Sequence, residues 1–206
     1  GDYASGSIIE YAQIRYGGGG KYAAVTATNA ALFLNQLTVD YSESSGIAVI
    51  GVSGSGTIPL TKITNSTISN NGGNGVYCDC YRLYGSITVS DSTITGNGSW
   101  YGGGISTGGG DSGGSHIFVF TNNTISGNYG DGIWGGANGT QTITYNTVRD
   151  NTGIGIHTRG NGTYTIQNNI ITGNSSAGIL ARHATHIITN NIVVSNDGVG
   201  IKITSG

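Results

Sequence analysis

Proline occurs once in this chain of 206 residues, methionine is absent, and charged residues make up only 9%. Disordered glycine-rich chains are normally rich in Pro, Lys and Glu as well, and poor in β-branched residues. This chain has the opposite bias, with Ile, Val and Thr spread throughout. Helical bundles draw on Ala, Leu, Glu, Lys and Arg, which are scarce here. No apolar run approaches the ~20 residues of a membrane helix, so membrane insertion is not expected. No signal peptide opens the chain, which a secreted protein with its leader removed would equally show. Eight Lys plus Arg against ten acids give a formal net charge of −2. That lacks the basic excess of a nucleic-acid binder, and no nucleic-acid partner is expected.

Cysteine is nearly absent too. Cys78 and Cys80 flank Asp79, and in a strand they would share one face, ~7 Å apart along it. That spacing suits two small buried hydrophobes better than a disulfide, whose Cα atoms lie about 4.4–6.8 Å apart. A metal would need further Cys or His ligands close by, and no such cluster is evident.

What the chain has in excess is glycine, 39 residues of it, without the every-third-position period of collagen. Its order becomes plain on comparing ITNSTISNNGGNGVY from Ile63, FTNNTISGNYGDGIW from Phe120 and ITYNTVRDNTGIGIH from Ile143. IQNNIITGNSSAGIL from Ile166 and ITNNIVVSNDGVGIK from Ile188 repeat the pattern, with looser copies from Ser7, Leu34 and Val89. The central apolar residue of each copy is Ile14, Val39, Ile68, Ile94, Ile125, Val148, Ile171 or Val193. In six copies Asn follows three positions later: Asn71, Asn97, Asn128, Asn151, Asn174 and Asn196. A second apolar row follows as Ile47, Val76, Ile105, Ile133, Ile156, Ile179 and Ile201.

A repeat of this length means a solenoid or a propeller. The Leu framework of leucine-rich repeats and the 3.6-residue period of helical repeats are both missing. Short alternating segments such as Ile201-Lys202-Ile203 read as strands, separated by Gly and Asn, which tolerate left-handed turns. Stacked at ~4.7–4.9 Å, eight coils would form a rod roughly 40 Å long, lined by aliphatic rows and by stacked Asn side chains. The pattern resembles the right-handed parallel β-helix repeat of the pectate-lyase-like superfamily and of bacterial extracellular β-helix proteins. SGSIIEYAQIRYGGGG, from Ser5, is similar to a segment of large secreted proteins with such repeats. The expected fold is therefore all-β, a right-handed parallel β-helix of about eight coils and a single-stranded β-solenoid. It is expected to fill residues 1–206 as one domain, extracellular or at a cell surface.

That architecture hosts lyases, hydrolases, epimerases, adhesins and structural proteins, so function must come from the site. Pectate lyases of the superfamily resemble one another in clustering acids around calcium and using an arginine base. Its polygalacturonases carry neighbouring aspartates with Gly-His-Gly and Arg-Ile-Lys segments. This chain matches neither set, and Gly200-Ile201-Lys202 is only a partial echo. Asp91, Asp131, Asp150 and Asp197 fall in different parts of their repeats, short of the paired acids that carboxylate catalysis needs. Asp91 takes a slot held elsewhere by Asn65, Asn122, Asn168 and Asn190, which reads as a place in the Asn ladder. Gly130-Asp131-Gly132 reads as a turn rather than a calcium site, which needs 6–8 oxygens. No cofactor is expected, and nothing calls for calcium.

If the second apolar row points inward, then Tyr77, Trp134, His157, Leu180 and Lys202 point out, and Arg159 and Arg182 follow two positions on. Trp100, Tyr101 and Tyr129 precede this strand in the middle copies. Flat aromatic faces suit sugar rings, and guanidinium groups suit uronate or sulfate. The expected carbohydrate-binding face is thus Tyr77, Trp100, Tyr101, Tyr129, Trp134, His157, Arg159 and Arg182. The bland alternative is that these residues simply decorate a pleated surface and keep it soluble. For catalysis, the candidates are His157, Arg159 and Arg182, which would abstract a proton beside an acidic sugar. Asn138 and Asn161 are the expected glycan acceptors, in exposed turns, whereas sequons at ladder positions would be inaccessible. Neither end of the chain carries a capping helix, so a longer protein or end-to-end self-association of rods is expected. The leading functional expectation is a non-catalytic extracellular module with a surface or structural role, with polysaccharide or a cell-surface glycan as the candidate ligand of one lateral face. A polysaccharide lyase and a self-assembling filament subunit are the rivals.

Overall fold

The computed structural model describes residues 6–18, 23–51, 57–79, 84–98, 103–108 and 116–205. Within them the chain forms 24 strands and no helix. The strands fall into three sheets of eight, each strand pairing with those three places before and after it in the chain. One turn of the solenoid thus contributes one strand to each sheet, as in Gly139–Thr144, Thr147–Arg149 and Ile156–Arg159. Eight such coils stack, as the repeat predicts.

The register reproduces the sequence rows one for one. In the second sheet Ile14, Val39, Ile68, Ile94, Ile125, Val148, Ile171 and Val193 stand in succession. In the third, Ile47, Val76, Ile105, Ile133, Ile156, Ile179 and Ile201 do the same. The first sheet adds Leu34, Ile63, Val89, Phe120, Ile143 and Ile166. These three rows meet in a core whose central members, such as Ile94, Ile133 and Ile143, have no solvent exposure. Each fully buried aliphatic side chain stabilises the rod by about 1.5–3 kcal/mol. In the final coil Ile201 and Ile203 are exposed.

Two corners organise the coil. Between the first and second sheets every corner has two residues, and the first of them adopts a left-handed conformation at Gln36, Asn65, Asp91, Asn122, Tyr145, Asn168 and Asn190. The second residue turns inward and stacks as Ser66, Ser92, Asn123, Asn146 and Asn169, each bonding the next. The first ladder continues from Asn169 to Asn191. Between the second and third sheets, Asn71, Asn97, Asn128, Asn151 and Asn174, all buried, and the half-buried Asn196 form a second ladder of the same length, with amide-to-amide distances of 2.8–3.0 Å. Each of these amides also donates to a backbone carbonyl, as Asn151 does to Ile125. The ladder thus satisfies polar groups that would otherwise be costly to bury.

Three expectations need correction. The slot shared by Asn65, Asp91 and Asn122 is not the inner ladder: the left-handed residue faces out and the ladder lies one residue on. Asn65 and Asn122 are therefore exposed, while the sequon residues Asn97 and Asn174 are fully buried. The expectation that glycines between strands serve left-handed turns does not hold for those ahead of the third sheet, since Gly75 and Gly155 are absent from the left-handed residues. They are there because the next coil comes too close: a Cβ on Gly155 would lie 2.6 Å from Ile171 Cγ2 and 2.7 Å from the Gly178 carbonyl. Finally, Cys78 is disulfide-bonded, and Cys80 is the only other cysteine in the sequence. Cys80 itself lies outside the described residues.

Candidate functional site

The outer face of the third sheet carries Ala48, Tyr77, Ser106, Trp134, His157, Leu180 and Lys202 in register. It is less open than the sequence suggests. Ala48, Ser106 and Leu180 are buried, Tyr77, Trp134 and His157 are half-buried, and only Lys202 is exposed. Tyr77 and Trp134 are two coils apart, with Ser106 between them, so they form no continuous aromatic strip. Burial and, secondarily, the nearby Asp79 carboxylate push the Tyr77 hydroxyl up from its ordinary pKa, keeping it a neutral donor. Trp134 lies back over Gly136, where an added Cβ would come within 2.4 Å of the indole. Only glycine leaves room for that ring.

Trp134 and Arg159 meet in an open groove of about 470 Å³ that also takes in Asn138, Asn161 and His183. Asn138 is half-buried, and its amide oxygen accepts a 2.7 Å bond from the Asn161 backbone N–H. Both expected glycan acceptors thus belong to the groove wall, and only Asn161 is exposed. Arg159 pairs in register with Arg182 on the next coil, which places like charges one strand spacing apart, about 4.8 Å at the backbone. Among the described residues no acid pairs with either arginine, and the Arg182 Nε is buried without a hydrogen-bond partner. Tyr129 is exposed on the preceding corner, bonded through its backbone N–H to Asn97, and is not among the groove residues. Trp100 and Tyr101 lie outside the described residues.

The sequence reading missed a partner for His157. Its Nδ1 stands 2.9 Å from Asp131 Oδ2, and the other Asp131 oxygen accepts from the Ile154 backbone N–H at 2.8 Å. An ionised carboxylate only accepts, so the imidazole carries a proton on Nδ1 and leaves Nε2 as the acceptor. That Nε2 is enclosed and unpartnered. The pairing was open to discovery: Asp131 precedes the ladder residue Ile133 by two positions, and His157 follows Ile156 by one, on adjacent coils. Among the described residues no three His, Cys, Asp or Glu side chains gather to hold a metal.

The model of the right handed beta helix region matches residues 22–187 and 119–206. The chain belongs to the right-handed β-helix family. Its parallel solenoid is therefore right-handed, as the resemblance in the repeats implies. Among solved structures, this β-helix is similar to pectate lyase Pel9A, with a TM-score of 0.50 and 14% identity over 96% of this chain and 67% of that one. At that identity the likeness is one of fold. Among curated proteins nothing matches the chain.

Proposed function

We propose that the chain is an extracellular, non-catalytic β-helix module that binds an acidic polysaccharide along the outer face of its third sheet. The observation that carries this reading is the pair Arg159 and Arg182, one coil apart and without an acid partner among the described residues. Like charges directly opposite in a sheet are destabilising, and a buried guanidinium nitrogen without an acceptor costs more. Carboxylate or sulfate groups of a bound chain would relieve the repulsion between the two guanidinium groups. Trp134 beside Arg159 supplies an indole surface for the sugar ring, and a polyuronate agrees with the name of the pectate lyase to which the fold is similar.

The Asp131–His157 pair favours a second reading, a polysaccharide lyase. After a side-chain shift that opens the enclosed Nε2 to the groove, His157 would take the proton α to a uronate carboxylate and the C–O bond at the β position would break. The released electron pair would form a carbon–carbon double bond, and the departing oxygen would take the proton back from His157. Incubation with polygalacturonate, alginate and chondroitin sulfate separates the two readings, with retention and absorbance of unsaturated products followed together. Retention without product is the expected result. Product formation would replace the binding module with the lyase, and neither signal would overturn both.

A further inference from the structure

The left-handed corner after each strand of the second sheet is filled by Asn70, Gly96, Gly127, Asp150, Gly173 and Ser195 in the third to eighth coils. These are residues that adopt or tolerate that conformation. In the first two coils the same position holds Tyr16, at φ 55°, and Tyr41, at φ 57°. A left-handed tyrosine is uncommon; Tyr11 and Tyr145 adopt the same conformation at the other corner, and what sets Tyr16 and Tyr41 apart is that they occupy adjacent coils and their rings meet. The rings stack at 5.4 Å with planes 17° apart, yet Tyr16 remains 74% exposed and Tyr41 44%. Arg15 places its guanidinium carbon 5.7 Å from one ring centre and 5.3 Å from the other. Its Nε donates to Asp40 at 2.9 Å, and its outer nitrogens bond nothing among the described residues.

From this we infer a second carbohydrate site, centred on Tyr16, Tyr41 and Arg15 and specific for a neutral sugar chain. It is independent of the groove at Arg159. The charge decides the class: Asp40 neutralises Arg15, so nothing here selects an anion. Exposed phenol faces accept the C–H face of a pyranose ring, and the free guanidinium N–H groups can donate to its hydroxyls. A protein partner fits less well. Two tyrosine side chains carry about 300–500 Å² in all, well below the roughly 800 Å² per partner of a stable interface.

The test uses Tyr16→Asn/Tyr41→Asn, because Asn70 already serves this corner in the third coil and the variant retains the fold. Binding of neutral hexasaccharides of β-1,4-glucan, mannan and xylan is followed by NMR titration, beside a melting curve and light scattering. The expected result is that at least one hexasaccharide binds the native chain. The double variant should then bind it about tenfold or more weakly at unchanged Tm, a loss in the range of one good contact. Arg159→Ala/Arg182→Ala should leave this binding untouched. The inference is overturned if no hexasaccharide binds at about 10 mM, an affinity too weak to be specific. Equal binding by the tyrosine variant, or a changed oligomeric state in place of changed sugar binding, also overturns it.

Discussion

Asp131 Oδ2 and His157 Nδ1 lie 2.9 Å apart across two neighbouring coils, so stacking alone brings together two residues 26 positions apart. The ionised carboxylate makes the bond charge-assisted, and it is further held by the Ile154 N–H. Asp131→Ala strands that N–H and the imidazole proton, and is expected to destabilise the chain by about 2–4 kcal/mol. Urea titrations of the two alanine variants and their double mutant should give a coupling energy of roughly 1–2 kcal/mol. Additive losses would mean that the two side chains do not interact.

Gly155 and Gly200 hold the same place in their repeats but meet different neighbours. A Cβ on Gly155 collides with Ile171, the Gly178 carbonyl and the Asn174 amide, whereas one on Gly200 meets only Val193, at 3.9 Å. Gly155→Ala should therefore cost about 1–3 kcal/mol through overpacking, and Gly200→Ala should be neutral or stabilising by about 0.4–1 kcal/mol. Equal effects in thermal melts would contradict a close-approach role.

Two histidines make stability depend on pH. His116 packs beside Phe118 at 5.7 Å, and burial lowers its pKa. His186 stacks on Tyr164 at 5.2 Å and is lowered as well, burial outweighing an opposing backbone bond at Ala184. Unfolded, both titrate near ~6.5, so below that value the unfolded chain binds more protons than the folded one. Stability is then fully present above ~6.5 and declines as pH falls toward the folded pKa values. Tm should be lower at pH 5 than at pH 7, with a flatter profile in His116→Gln/His186→Gln.

Arg159→Ala/Arg182→Ala should weaken retention of acidic polysaccharide about tenfold or more, the scale of lost charged hydrogen bonds. Its binding should also respond less to salt. Because the pair repel each other, Tm should hold or rise slightly. A large fall in Tm would instead assign the arginines to the fold.

The ladders were legible because apolar residues at fixed offsets can satisfy a coil only by stacking in register, and Ile68, Ile94 and Ile125 do so. The Asn row from Asn71 to Asn196 followed from the same logic. The reading failed by one residue at Asp91, because a left-handed corner reverses the alternation of inside and outside within two residues. It missed Asp131 with His157 because contacts between coils are not periodic in a single repeat. It overstated the openness of Tyr77 and Trp134 because an outward Cβ does not reveal what packs above it, as Leu180 shows by being buried.

The corner between the first and second sheets keeps two residues in all eight coils, although the repeats differ in length. Growth of the sequence has therefore been confined to the other edges of the rod. Along the two-residue edge a single inserted amino acid would throw the stacked Ser and Asn side chains out of step and break the chain of bonds from Ser66 to Asn169. The solenoid is in this sense a bound book: new pages can be widened at the fore-edge, while the stitching of the spine admits no change of gauge.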